Sequence, residues 1–258
     1  MPVTGDAQSS AVVPTPDPVS WLRIELNIPA REVRLIDHDK VVGSYPVAIG
    51  QMAYKSIVMS SQLNRIEWNP WWYPPSAEWA ADDVVTPPGP KNPLGRVKLP
   101  LSRAILIHGT NAERSVGRAA SHGCFRMLNK DAVALAWYLQ ERLSDKTDPA
   151  LLDKYAKQRR TTFIVPLAQP VPVEILYEPI VLLDNVLYLY PDTYGKVRNW
   201  HERIAAALQA AGIDSSPLSP ERIKELRRQL QRGKIEISVT ELLRPPDPPP
   251  AATLSKAE

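Results

Sequence analysis

Cys124 is the only cysteine in the chain, and two of its four histidines, His108 and His122, lie shortly before it. A thiol becomes a strong nucleophile when a base removes its proton, and an imidazole is the usual base. The apolar run Ala104-Ile105-Leu106-Ile107 reads as a buried strand. His108 and Gly109 end that run, so His108 stands where a strand gives way to a loop. A polar loop follows from Thr110 to Ala120, with Gly117 as a point of freedom. The chain returns through Ser121-His122-Gly123 to Cys124, and a helical pattern opens at Asn129 or Asp131. The expectation is a thiol in a turn just ahead of a helix. Free backbone N–H groups there would lower its pKa and could bind an oxyanion. Residue types alone leave a second reading open. A single cysteine is often an inert core residue, and a histidine at a strand end is often only structural.

The order of the residues adds to this. His108-Gly109, a loop, and then Ser121-His122-Gly123-Cys124-Phe125-Arg126 resembles the L,D-transpeptidase catalytic domain family (YkuD; ErfK/YbiS/YcfS/YnhG). Two upstream segments are also similar to that family: Gly89-Pro90-Lys91-Asn92-Pro93-Leu94-Gly95 and Tyr45-Pro46-Val47-Ala48-Ile49-Gly50. The resemblance covers roughly Trp21 to Gly195. It breaks at Lys55-Ser56-Ile57-Val58, where many relatives carry Thr-Pro-x-Gly.

The resemblance implies a peptidoglycan stem tetrapeptide as substrate. Cys124 would attack the carbonyl between its third and fourth residues, D-Ala would leave, and a thioester would pass its acyl group to an amine. That amine could belong to a second stem, a lipoprotein lysine or a free D-amino acid. His108 would be the base, with the Gly109 carbonyl orienting its ring, and the Gly123 and Cys124 N–H groups would hold the oxyanion. His122 would shape the pocket. Arg126, Ser121 and Trp72 are the candidate substrate contacts, with a loop-holding salt bridge as the other reading of Arg126. No metal and no organic cofactor is expected, because thiol, imidazole and backbone donors can supply acyl-transfer chemistry. Two alternatives stand beside this reading. One is a hydrolase on the same scaffold, acting as an L,D-carboxypeptidase or cross-link cleaver. The other is a non-catalytic cell-wall binding module.

The elements that must position these residues follow from pattern. The chain has 258 residues, 44% of them hydrophobic, and a net charge of +3, too small to argue for nucleic acid. No apolar run approaches the roughly 20 residues that cross a bilayer. No basic segment followed by an apolar stretch opens the chain, so no signal peptide is visible. An envelope or periplasmic location is implied by the resemblance alone. Residues 1–20 read as a flexible leader. Trp21–Leu26, Glu32–Ile36 and Val41–Ile49 alternate as strands, and Asp37-His38-Asp39-Lys40 reads as a turn rather than a metal site. Trp68, Trp71, Trp72 and Trp79 sit in a proline-rich loop, with about half of them expected to plug the core. Lys130–Leu143 shows a helical apolar face. Strands are expected at Thr161–Val165, Val171–Tyr177, Ile180–Leu183 and Val186–Tyr190. The fold class expected is mainly β, a curved β-sandwich with a few helices over residues 21–195. A small α/β appendage over 196–243 and a disordered tail over 244–258 complete the expectation.

Overall fold

The computed structural model describes residues 21–244. The leader at 1–20, and the tail from 245 onward, lie outside the described residues. The molecule is mainly β. Three strands open it, β1 (Leu22–Asn27), β2 (Glu32–Asp37) and β3 (Lys40–Gly50). Buried and half-buried residues alternate along β1, so one face lies in the core. The turn between β2 and β3 places His38 and Asp39 at positive φ, 48° and 60°, which suits a tight hairpin whose twist matches its strands.

β4 (Met59–Trp68), β5 (Val97–Pro100), β6 (Leu106–His108), β7 (Ala119–Ser121), β8 (Phe125–Met127) and β9 (Phe163–Leu176) complete the large sheet. Its order is β2-β1-β9-β4-β5-β6-β8-β3-β7, and β2 also pairs with β3, so the curved sheet closes on itself. β3 makes the corner. Lys40–Pro46 pairs with β2, whereas Val47 and Ala48 pair with Met127 and Arg126 of β8. Two strands expected at 161–165 and 171–177 are one continuous strand, β9. Its prolines lack an N–H to give the ladder, and a register shift at Leu63/Arg65 of β4 falls between the partners of Pro172 and Pro166.

Helix α1 (Asn129–Leu143) packs on β5 and β9 and buries Leu135, Ala136, Leu139 and Leu143. Asn129 is not its N-cap. That position falls to Leu128, and the Asn129 side chain is engaged across the site. α2 (Ala150–Lys157) follows.

A second, separate sheet has the order β10-β11-β12, formed by β10 (Ile180–Leu183), β11 (Val186–Leu189) and β12 (Ile235–Ser238). β10 and β11 therefore pair with the C-terminal strand and not with the large sheet. Asp184 and Asn185, at φ 49° and 61°, make their hairpin turn. Around this sheet pack α3 (Trp200–Ala210), α4 (Pro220–Leu230) and the short α5 (Val239–Leu242), with their own apolar cluster centred on Leu187, Ile204, Leu208 and Leu226. Ser219 caps α4 by accepting from the Arg222 N–H, with Pro220 at the first helical position. Ser238 caps α5 in the same way, by accepting from the Glu241 N–H, and ends β12 there.

Trp68 ties β4 to the helices. It is fully buried, stacks on Tyr155 at 4.8 Å, and its Nε1 donates to Gln140 Oε1 of α1 at 2.7 Å. Trp68→Ala should therefore destabilise the protein by about 3–5 kcal/mol in a denaturant titration. A loss under about 1 kcal/mol would show that the loop and helices close over the gap.

Candidate active site

β6 and β8 run parallel, with Ile107 opposite Phe125 and His108 opposite Arg126. Alternation sends Ile107, Phe125 and Met127 into the core, all fully buried. The other face then carries His108, Arg126 and, one step before the ladder, Cys124. The same face continues sideways through consecutive partners, because Lys98 of β5 lies opposite His108 and Glu67 of β4 lies opposite Lys98. A row of Glu67, Lys98, His108 and Arg126 thus crosses four strands. Lys98 Nζ is 2.9 Å from Glu67 Oε2, and Arg65 Nε is 2.9 Å from Glu67 Oε1.

His108 is buried, and its Nδ1 lies 2.5 Å from the Gly109 carbonyl oxygen. A carbonyl can only accept, so Nδ1 carries the hydrogen and Nε2 is left with its lone pair in the neutral ring. Burial pushes this imidazole down to about 4; the Gly109 bond opposes that, and the cations Arg126 and Lys98 push it further down. The Cys124 Sγ donates to the Ala104 carbonyl at 3.3 Å. Burial raises the thiol pKa, against the smaller opposing effects of a Leu106 backbone hydrogen bond and of Arg126. The expectation of a lowered thiol pKa is therefore corrected. Cys124 is followed by a strand, β8, and not directly by the helix, so it is not an N-terminal residue of α1. Both groups rest neutral.

The turn that carries Cys124 is built by hydroxyls. Ser121 Oγ donates to the Cys124 carbonyl at 2.5 Å and accepts from the Gly123 N–H at 3.1 Å. Ser121 is buried, so it braces the turn rather than facing solvent. Ser56 Oγ donates to the Gly123 carbonyl at 2.8 Å and accepts from the Gly50 N–H at 2.9 Å. Tyr194 closes the same network, its hydroxyl accepting from Ser56 N–H at 3.0 Å and donating to the Gly50 carbonyl at 2.6 Å. A Cβ at Gly50 would collide with the Tyr54 carbonyl, so the close approach needs glycine. Sequence reasoning missed Ser56 and Tyr194. The only signal was Ser56 itself, standing where the family pattern breaks.

Asn129 was also missed as a site element. Its Oδ1 accepts from the Arg96 N–H at 2.8 Å and its Nδ2 donates to the Thr110 carbonyl at 2.8 Å. It thereby clamps the chain on both sides of His108-Gly109, and a Cβ at Gly109 would strike Asn129 Oδ1.

His122 stays exposed to solvent and packs against two aromatic rings. Trp79 stacks on it with centroids 3.9 Å apart and planes 2° apart, and Tyr54 meets it edge-on at 4.7 Å. Burial lowers the His122 pKa, Arg126 adds to this, and Asp83 opposes it. The proline-rich loop thus reaches the site through Trp79. Trp72 makes no ring contact with His122; its backbone pairs with Thr86. Arg126 is half-buried and joins no ion pair among the described residues, so the salt-bridge reading of it fails. No group of three or more metal-ligating side chains is assembled among the described residues.

A family model described as the L,D-transpeptidase catalytic domain matches residues 22–167. The protein that carries the name L,D-transpeptidase YkuD in Bacillus licheniformis is 32% identical over 134 residues, covering 50% of this chain and 68% of that protein. The protein named L,D-transpeptidase YbiS in Escherichia coli strain K12 is 35% identical over 115 residues, covering 40% of this chain and 38% of that one. A crystal structure of L,D-transpeptidase 3 from Mycobacterium tuberculosis aligns with 60% of this chain and 61% of its own, at 14% identity and a TM-score of 0.39.

A neutral resting thiol has a measurable consequence. The rate of Cys124 alkylation by iodoacetamide should keep rising above pH 8.5, the ordinary thiol value of about 8.5 being exceeded here. A plateau reached below about pH 7 would mean that the sulfur rests as a thiolate.

Proposed function

The chain belongs to the L,D-transpeptidase catalytic domain family, and from that premise we propose that it forms a thioester between Cys124 and a peptidoglycan stem tetrapeptide. The observation that carries the proposal is the parallel pairing of β6 with β8, which sets His108 and Cys124 on one face as diagonal neighbours. Side chains on one face of adjacent strands project side by side, which is the placement the reaction needs.

The proposed sequence of events uses the neutral pair. The thiol proton passes from Cys124 Sγ to His108 Nε2 as sulfur bonds to the carbonyl carbon. The Gly109 carbonyl holds the ring in the needed tautomer and stabilises the imidazolium that forms. The imidazolium then gives its proton to the amine of D-Ala as the C–N bond breaks. An acceptor amine attacks the thioester, and sulfur leaves and regains a proton through His108.

The oxyanion falls to the Cys124 N–H in this scheme, since the Gly123 N–H is engaged by Ser121. Arg126, a guanidinium with no carboxylate partner among the described residues, would take a substrate carboxylate through its paired donors. His122 and Trp79 would form one wall of the cleft. Ser121 would act on substrate only through the turn it braces, and Trp72 is the weaker aromatic candidate beside Trp79. A lipoprotein lysine is one acceptor that fits the chemistry, and a periplasmic or envelope location fits the substrate. Among the described residues no helix is long and apolar enough to cross a membrane. The appendage, expected over 196–243, would also take in β10 and β11, which share its sheet and apolar cluster.

The test is mass spectrometry of a disaccharide-tetrapeptide incubated with the protein and with Cys124→Ala. Cross-linked dimer with loss of D-Ala, and its absence with Cys124→Ala, is the expected result. Tripeptide without dimer would turn the reading to a hydrolase. Unchanged substrate with no acyl-enzyme would overturn it in favour of a binding module.

Two further outcomes follow from the charges. Arg126→Gln should raise KM roughly tenfold or more, the size of a lost charge-assisted hydrogen bond of about 1.5–3 kcal/mol. An unchanged KM would remove Arg126 from substrate binding. The base form of His108 is lost only as pH falls through about 4. The acid limb of kcat/KM should therefore lie well below pH 6.5, the ordinary imidazole value. A limb at 6.5 would assign the base elsewhere.

A further inference from the structure

A second cleft lies away from Cys124. It has a volume of about 280 Å³, and neither Cys124, His108, His122 nor Arg126 lines it. Two guanidiniums, Arg96 and Arg159, share it with Asn69, Asn111, Asn129 and a single carboxylate, Glu113. Neither arginine joins an ion pair among the described residues, Glu113 included.

Arg96 is held in place. Its Nε donates to Asn69 Oδ1 at 3.3 Å, and the Asn69 amide donates to the Tyr155 carbonyl at 2.9 Å. Asn69 is buried and sits at φ 48°, a conformation Asn tolerates better than most side chains. The Arg96 backbone N–H is fixed by Asn129 Oδ1. Arg159 donates its Nε to the Ala156 carbonyl at 3.2 Å. No hydrogen bond among the described residues uses a terminal Nη of either arginine. Burial holds the Arg96 pKa below its ordinary value, and the nearby charge of Arg159 adds to this. Two like charges that face one cavity, with one carboxylate between them that pairs with neither, repel each other, and an anion held by both removes that cost.

We propose that the cleft between Arg96 and Arg159 binds a compact oxyanion, a carboxylate or a phosphate group, through the free forks of both guanidiniums. The planar fork of arginine matches two oxygens of either group, and the Asn111 side chain adds a neutral polar contact. Glu113 opposes the anion and sets its affinity below what the two arginines alone would give. The site does not depend on the thioester reading.

The test is isothermal titration of the full chain at fixed ionic strength with inorganic phosphate and, separately, with glutarate. Saturable binding of one or both is expected, and which one binds distinguishes a phosphate source from a carboxylate source. Arg159→Gln, at an exposed position that leaves the core intact, should weaken it tenfold or more. Glu113→Gln should tighten it several-fold. Arg126→Gln, which removes a guanidinium on the thiol face, should leave it unaltered. Absence of saturable binding of either anion would overturn the proposal. So would binding unchanged in Arg159→Gln, or binding lost in Arg126→Gln, which would relocate the anion to the thiol face.

Discussion

The parallel pairing of β6 with β8 is the constraint on which the site depends. Two three-residue strands supply little adhesion of their own, and their register is held because Ile107 and Phe125 face the core together. A slip of one residue would reverse every side chain, exposing Phe125 and burying Arg126. The core therefore fixes the opposite face, where Cys124, Arg126 and His108 stand. Parallel strands cannot be joined by a tight turn. The loop from Thr110 to Ala120 is the crossover that this pairing needs, and β7 within it is the edge strand that pairs β3.

That placement carries an electrostatic consequence. A face next to the core desolvates what it presents, so burial moves the imidazole and the thiol in opposite directions, each toward its neutral form. Arg126 and Lys98 flank the ring and add to its acidity, while Glu67 neutralises Lys98 from the far side. The site thus holds a neutral acid and a neutral base that can exchange a proton only as charge develops on a substrate.

The rest of the frame acts through buried polar groups that span long stretches of sequence. Asn129 joins the start of α1 to the backbone on both sides of His108, and Ser56 with Tyr194 joins the end of β3 to the Cys124 turn. These bonds fix atoms whose alternative is an unsatisfied group in a dry interior, so they are costly to lose and hold the geometry firmly. Trp79 on His122 adds an apolar contact from a loop that otherwise runs at the surface.

Much of this was legible in the chain. Alternation marked β1 to β3, and spacing marked the buried face of α1, because these signals depend on neighbours a few residues away. The string from His108 to Arg126 identified the family for the same reason, since its information is linear. What the tertiary structure decided depends on partners far apart. The sequence could not show that β10 and β11 pair with β12, that Asn129 serves the His108 strand instead of its own helix, or that Trp79 and not Trp72 stacks on His122. Nor could it give the protonation of Cys124, because a thiol pKa is set by the water that folding removes and by the charges that folding brings near.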